Sequence, residues 1–109
     1  QMLEDNLLTA KAWQIRENFK YLYSVQLPAE DINYIESDGN YCLFHTDEKV
    51  YKNRSTIKQI MEMLPGNTFV QVHRAYVVNK TKIEKFNPKN VIVQNTEVPV
   101  SRNYGHIIP

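Results

Sequence analysis

The groups with chemistry to offer in this 109-residue chain are three histidines, one cysteine and basic or amide side chains near the ends of extended stretches. His45, His73 and His106 are scattered, and none falls in a HExxH pattern or a Cys/His pair with zinc spacing. Cys42 and His45 stand three apart in a stretch that reads as strand, which sends them to opposite faces. Cys42 is therefore expected to pack in the core beside Phe44, and neither a metal site nor a thiol-imidazole pair is expected. Glu36 and Asp38 lie beside a turn, where solvated charge is the ordinary role. Gly39, Gly66 and Gly105 are dispersed, so no glycine-rich phosphate loop exists, and the nucleophile-elbow, Walker and kinase patterns are absent. No catalytic residue and no cofactor is expected.

One short run sharpens the question. Residues 72–79 read VHRAYVVN, an apolar strand interrupted by His73 and Arg74 side by side. Other polar groups gather at similar places: Asn40 and Tyr41 at the Asp38-Gly39 turn, Lys80 and Lys82 after the run, and Ser101, Arg102, Asn103 and Tyr104 after the last strand. Arginine suits bidentate contacts at guanine and asparagine at adenine. Singly, each has a plainer role: a turn asparagine serves backbone geometry, and a lone surface arginine does nothing specific.

Charge keeps a polyanion under consideration. Residues 1–48 hold Lys11, Arg16 and Lys20 against nine acidic side chains, whereas residues 49–109 hold ten Lys or Arg against Glu62, Glu84 and Glu97. The formal net charge of +1 thus hides segments of −6 and +7. Such a basic segment draws polyanions unless the two halves neutralise each other on folding.

The elements that must position these groups are mostly strands. The length sets one domain with a single modest core. DNLLTAKAWQIRENF has a cap candidate in Asp5 or Asn6 and loosely helical apolar spacing, so residues 1–18 read as a linker or helical extension. FKYLYSVQL, INYIES, YCLFHT and VYKN read as strands, with Pro28, Asp38-Gly39-Asn40 and DEK between them. The one clear helix follows Arg54: Ile57, Ile60, Met61 and Leu64 form a single stripe, Thr56 and Gln59 match a capping box, and Pro65-Gly66 ends it. FVQVHRAYVV reads as a long extended run, KIEKF as a short one, NPKN as a turn, and VIVQ-NT-EVPV as a final hairpin with Pro99 at an edge. This gives roughly seven to nine short strands. A single cysteine and no window of transmembrane length suit a cytoplasmic setting without membrane contact.

In order, these pieces resemble the LytTR-type DNA-binding domain, from about Leu27 to Tyr104. The likeness rests on INYIESDGNYCLFHT, RSTIKQIMEML, FVQVHRAYVVNKTKI and EVPVSRNY. It implies a mainly β fold of small elongated antiparallel sheets with one short covering helix, occupying residues 19–109. It implies double-stranded DNA as partner, read through loops in successive major grooves at paired or direct-repeat promoter sites. Asn40, Tyr41, Arg74, Arg102 and Asn103 would then read bases, and Arg54, His73, Lys80, Lys82, Ser101 and Tyr104 would meet phosphates. His73 is assigned mainly to holding a bend, with DNA contact as its lesser role. The likeness also implies an output domain of a two-component response regulator, monomeric alone and dimeric on DNA or through its receiver. Gln71 and Ala75 depart from the family's usual basic residue and serine, and the final hairpin carries Asn95-Thr96 in place of a glycine turn. The alternative is a β-rich interaction module for an acidic partner or another regulator domain, using Tyr21, Tyr23 and Tyr104.

Overall fold

The computed structural model describes residues 7–16, 19–64 and 66–104, with side chains from Leu27 onward. Among them the strands are β1 (Leu7–Arg16), β2 (Phe19–Pro28), β3 (Tyr34–Asp38), β4 (Tyr41–His45) and β5 (Val50–Arg54). After helix α1 (Ile57–Met63) come β6 (Phe69–His73), β7 (Tyr76–Asn79), β8 (Ile83–Phe86), β9 (Asn90–Val93) and β10 (Thr96–Pro99). They build three antiparallel sheets: the β1–β2 hairpin, a five-stranded sheet in the order β5-β4-β3-β7-β6, and a three-stranded sheet in the order β10-β9-β8. The mainly β fold with one helix is as expected from the sequence.

Two of the expected elements change. The helix proposed near the start is instead β1, paired with β2 without a slip from Leu7 opposite Pro28 to Arg16 opposite Phe19. A ten-residue ladder satisfies backbone groups that a short isolated helix holds only weakly, so pairing overrides the loose helical spacing. Asp5 and Asn6 lie outside the described residues. The long run FVQVHRAYVV is two strands, because Arg74 and Ala75 turn the chain back on itself. Strand alternation therefore does not continue across them, and Arg74 does not share a strand face with Val72.

The five-stranded sheet buries both faces. On one, Ile35, Cys42, Phe44 and Val77 meet Ile57, Ile60 and Leu64, with Met61 half-buried beside them. Each such side chain contributes on the order of 1.5–3 kcal/mol when fully buried. The helix start is fixed by the expected box: Thr56 Oγ1 accepts from the Gln59 N–H at 3.1 Å, and Gln59 Oε1 accepts from the Thr56 N–H at 2.9 Å. Pro65, the expected stop, lies outside the described residues. On the other face Val70, Val72 and Val78 pack against Val91, Val93 and Val98 of the three-stranded sheet. Valine suits this layer, because its branched Cβ fills a pleated surface at little entropic cost. Pro99 ends the edge strand β10, where a missing N–H costs no ladder bond.

Turn chemistry closes the hairpins. Gly39 has φ of +64° while Asn40 does not have positive φ, the pattern of a II′ turn with glycine first. In the final hairpin the turn residues are Gln94 and Asn95, with φ of 49° and 65°, one residue earlier than the Asn95-Thr96 position read from the sequence. Both sit in left-handed backbone that glycine normally supplies.

Candidate nucleic-acid interface

Antiparallel pairing sorts the connections to two ends of the molecule. Asp38 pairs with Tyr41 and Tyr41 with Arg54, so the Gly39–Asn40 turn and the close of β5 share one end of the sheet. The Ser37 N–H donates to the Ala75 carbonyl at 2.8 Å, which places the Arg74–Ala75 turn beside them. The Ser101 N–H donates to the Val72 carbonyl at 2.8 Å, seating the Arg102–Asn103 turn next to that one. Finally, the Val100 N–H donates to the Lys89 carbonyl at 2.8 Å, bringing in the β8–β9 turn. Four turns and the end of β5 therefore converge.

The convergence gathers positive charge. Arg54, Arg74, Lys89 and Arg102 are exposed at this end, against Asp38. Among the described residues none of the four makes an ion pair, the one such contact being His45 with Glu36. Their guanidinium and ammonium groups are thus not consumed internally. Lys52 lies two residues before Arg54 with its Nζ 4.5 Å above the Tyr41 ring, a cation–π contact on the sheet surface. At the opposite end the connections carry Glu30, Asp31, Asp47 and Glu48 alongside Lys49, Lys80 and Lys82. The asymmetry between sequence halves becomes, in part, an asymmetry between ends. It is the arrangement that a long-range field needs to orient a polyanion.

Individual side chains fall out as follows. Asn40 is exposed and Tyr41 half-buried; Arg74, Arg102 and Asn103 are exposed; Ser101 and Tyr104 are half-buried. Ser101 shapes its own turn, its hydroxyl accepting from the Asn103 N–H at 3.4 Å and its carbonyl from the Tyr104 N–H at 2.9 Å. Lys80 and Lys82 are separated from this group. They lie in a 3₁₀ turn (Lys80–Lys82) at the other end of β7, and Lys82 lines a cleft with Asp31, Asp47 and Glu48. The four residues of β7 put them more than 13 Å, about 3.3 Å per residue, from the Arg74 turn. Tyr21 and Tyr23 have side chains outside the described residues, as does His106.

Sequence reasoning alone does not bring out Glu36, Tyr34, Lys89 and Gln71. Glu36 is not simply solvated: its Oε1 is 3.0 Å from His45 Nε2, and its Oε2 accepts from the Tyr76 hydroxyl at 3.4 Å. Tyr34 stacks on His45 with centroids 4.0 Å apart. Burial first, and the Glu36 carboxylate second, push the Tyr34 and Tyr76 hydroxyls above the ordinary phenol range. Read from the sequence alone, Lys89 is only part of a turn and Gln71 only a missing charge. Nothing local in the sequence marks Glu36 or Lys89, whose neighbours come from distant strands. Cys42 is fully buried, and burial raises its thiol pKa, which suits an inert core residue. Among the described residues no three His, Cys, Asp or Glu side chains are placed to hold a metal ion.

The class so defined is an antiparallel β domain that presents basic loops from one end of its central sheet. The chain belongs to the LytTR family of DNA-binding domains: residues 23–107 match the family described as LytTr DNA-binding domain. It is 31% identical over 81 residues to the sensory transduction protein LytT of Enterococcus faecalis, across 69% of this chain and 34% of that protein. To the LytT protein of Bacillus subtilis it is 30% identical over 87 residues, 74% of this chain and 36% of the relative. The chain thus spans about a third of the length of these curated relatives. Its fold matches the solved LytTr DNA-binding domain of a methyl-accepting/DNA response regulator from Bacillus cereus, with a TM-score of 0.76 and 18% identity over 94% of this chain and 92% of that one. No helix among the described residues is long and apolar enough to cross a membrane.

Proposed function

We propose that this chain is the output domain of a bacterial transcriptional response regulator, binding double-stranded DNA sequence-specifically through loops placed in major grooves. The observation that carries this is the convergence of the Gly39–Asn40, Arg74–Ala75 and Arg102–Asn103 turns at one basic end. Separate loops from a rigid sheet can enter neighbouring stretches of groove, which a flat basic face cannot do.

Roles follow from side-chain chemistry. Arg74 and Arg102 present planar forks for the O6 and N7 acceptors of guanine, and Asn40 or Asn103 presents the donor–acceptor pair that matches adenine. Tyr41 stands at the same turn to add a contact. Arg54, Ser101 and Tyr104, joined by Lys89 and Lys52, lie around these loops to meet phosphates, which supply affinity and salt dependence. Lys80 and Lys82 leave the phosphate set, because the domain turns them towards its acidic end. The phosphate role for His73 also recedes, since its ring is engaged within its own turn.

Relatives more than twice as long as this chain, one of them from Vibrio cholerae described as a response regulatory protein, support a receiver attached elsewhere in the full protein. That receiver would bring two copies onto paired promoter sites, with the isolated domain monomeric. Selection from random duplexes tests the reading. A motif should emerge and bind this domain more tightly than scrambled DNA at moderate salt. Enrichment of no motif, from the domain alone and from a protein with its receiver restored, would end the proposal.

A further inference from the structure

We infer that the neutral form of His73, with the Gln71 amide as a second clasp, holds the Arg74 turn in its DNA-reading shape, so that acidification erodes sequence discrimination while leaving general DNA affinity intact. The DNA half of this inference rests on the function proposed above; the clasp itself does not.

The turn needs external support. Two-residue hairpins favour turns with positive φ, but neither Arg74 nor Ala75 has it, and neither is glycine or asparagine. Side chains supply what the backbone lacks. His73 Nδ1 accepts from the Ala75 N–H at 3.1 Å, two residues on, as an asparagine does in an Asx-turn. Gln71 Nε2 donates to the carbonyls of His73 at 3.2 Å and Arg74 at 3.5 Å. Ser37 closes the set by donating to the Ala75 carbonyl. Both carbonyls flanking the Arg74–Ala75 peptide are thereby partnered, and Gln71 is a fastening residue rather than only a lost charge.

The His73 bond works in one protonation state. An acceptor at Nδ1 requires the neutral ring with its proton on Nε2; the imidazolium carries protons on both nitrogens and would point a donor at a donor. Charged and titratable groups face the ring from several elements. On β7 the Tyr76 ring meets it edge-on at 5.5 Å, and behind Tyr76 stands the Glu36 carboxylate of β3, itself bonded to His45 of β4. Asp38 of β3 adds negative charge near the turn, Arg74 in the turn and Arg102 in the adjoining C-terminal turn add positive charge, and Tyr104 flanks them. Protonation therefore frees the Ala75 N–H and loosens the carrier of Arg74. It also adds positive charge, which favours any DNA equally. The two consequences have opposite signs, and that separates this device from simple electrostatics.

The test measures binding of the selected duplex and of a scrambled one, from pH 8 to pH 5.5 at constant ionic strength. The preference for the selected duplex should fall about fivefold, the order of one net hydrogen bond, while scrambled binding holds or tightens. His73→Asn, whose Oδ1 takes the place of Nδ1 without titrating, should restore the preference at low pH. His45→Gln, which removes the other described histidine, should leave the fall in place. Parallel changes on both duplexes, or an unaltered fall in His73→Asn, would overturn the inference. Amide exchange at Ala75 in the free protein tests the clasp without DNA: protection should disappear on acidification and persist in His73→Asn. Protection that survives throughout disproves the clasp whatever the DNA shows. Loss of protection as expected, with no duplex preferred at any pH, instead removes the DNA reading and leaves the clasp standing.

Discussion

Ser101 donates its backbone N–H to the carbonyl of Val72 at 2.8 Å, and that bond seats the Arg102 turn against the Arg74 turn. The acceptor is available for two reasons. β6 is an edge of the five-stranded sheet, and Val72 is the residue its pairing with β7 skips, between Gln71 opposite Val77 and His73 opposite Tyr76. A bulge exposes a backbone group that a regular ladder would have occupied, and the C-terminal segment takes it. Two loops distant in sequence thus become one surface, and Val72 itself stays buried beneath them.

Arg102 should carry sequence information. It is exposed at the converged end and makes no ion pair among the described residues. Arg102→Ala is expected to cost about 1–3 kcal/mol on the selected duplex and much less on scrambled DNA. Titrations of both duplexes check it; equal losses would reduce Arg102 to a phosphate contact.

Lys89 and Lys82 make a matched pair for the phosphate term, since both are lysines in turns but stand at opposite ends of the domain. Lys89→Ala should weaken all duplexes alike and lower the slope of log affinity against log salt by about 1. Lys82→Ala should change neither, because Lys82 lines a cleft with Asp31, Asp47 and Glu48 at the other end of the domain. A salt series on the two variants decides the matter, and the reverse result would place the DNA on the other end.

Much of this arrangement is legible in the sequence, for identifiable reasons. Asp38-Gly39-Asn40 declared its turn through glycine, Thr56 and Gln59 declared a helix start, and the stripe of Ile57, Ile60 and Leu64 declared the buried face. Local turn chemistry does not show the β6–β7 turn, because Arg74-Ala75 carries no turn residue; the family likeness alone points to a bend held by His73, and nothing in the sequence marks the Gln71 clasp. The separation of Lys80 and Lys82 from the Arg74 turn is hidden in the sequence for a similar reason. Adjacency in sequence to VHRAYVVN suggested adjacency in space, whereas a strand carries whatever follows it to the far side of the sheet. β1 was missed because its pairing with β2, not its own periodicity, sets its conformation.

Asn79 should prove a stability residue rather than a contact. It is fully buried, donating through Nδ2 to the Ile32 carbonyl at 2.9 Å and accepting at Oδ1 from the Thr81 N–H at 3.0 Å and hydroxyl at 2.7 Å. Asn79→Ala strands a buried carbonyl and removes the cap of the following 3₁₀ turn. The expected loss is about 1–3 kcal/mol by denaturant unfolding, the cost of leaving a buried group unpaired. A change within about 0.5 kcal/mol, the range of ordinary surface substitutions, would show that solvent replaces these bonds.

Tyr34 and Tyr76 should limit stability on the alkaline side. Burial foremost, then the Glu36 carboxylate, raises both hydroxyls above the ordinary phenol value of 10.0. The sign follows from linkage: a group whose pKa is higher folded than unfolded favours the folded state while both forms are protonated. That contribution is complete below about pH 10 and is lost as pH rises through the folded value. Unfolding measured from pH 8 to pH 11 should therefore show a decline near the top of the range. In Tyr34→Phe and Tyr76→Phe the decline should be shallower, most of all in the double variant, since phenylalanine has nothing to ionise. Lysines and the remaining tyrosines titrate in wild type and variants alike, so the difference between the curves isolates the pair. Superimposable slopes would mean that Glu36 and burial do not hold these hydroxyls protonated in the folded state.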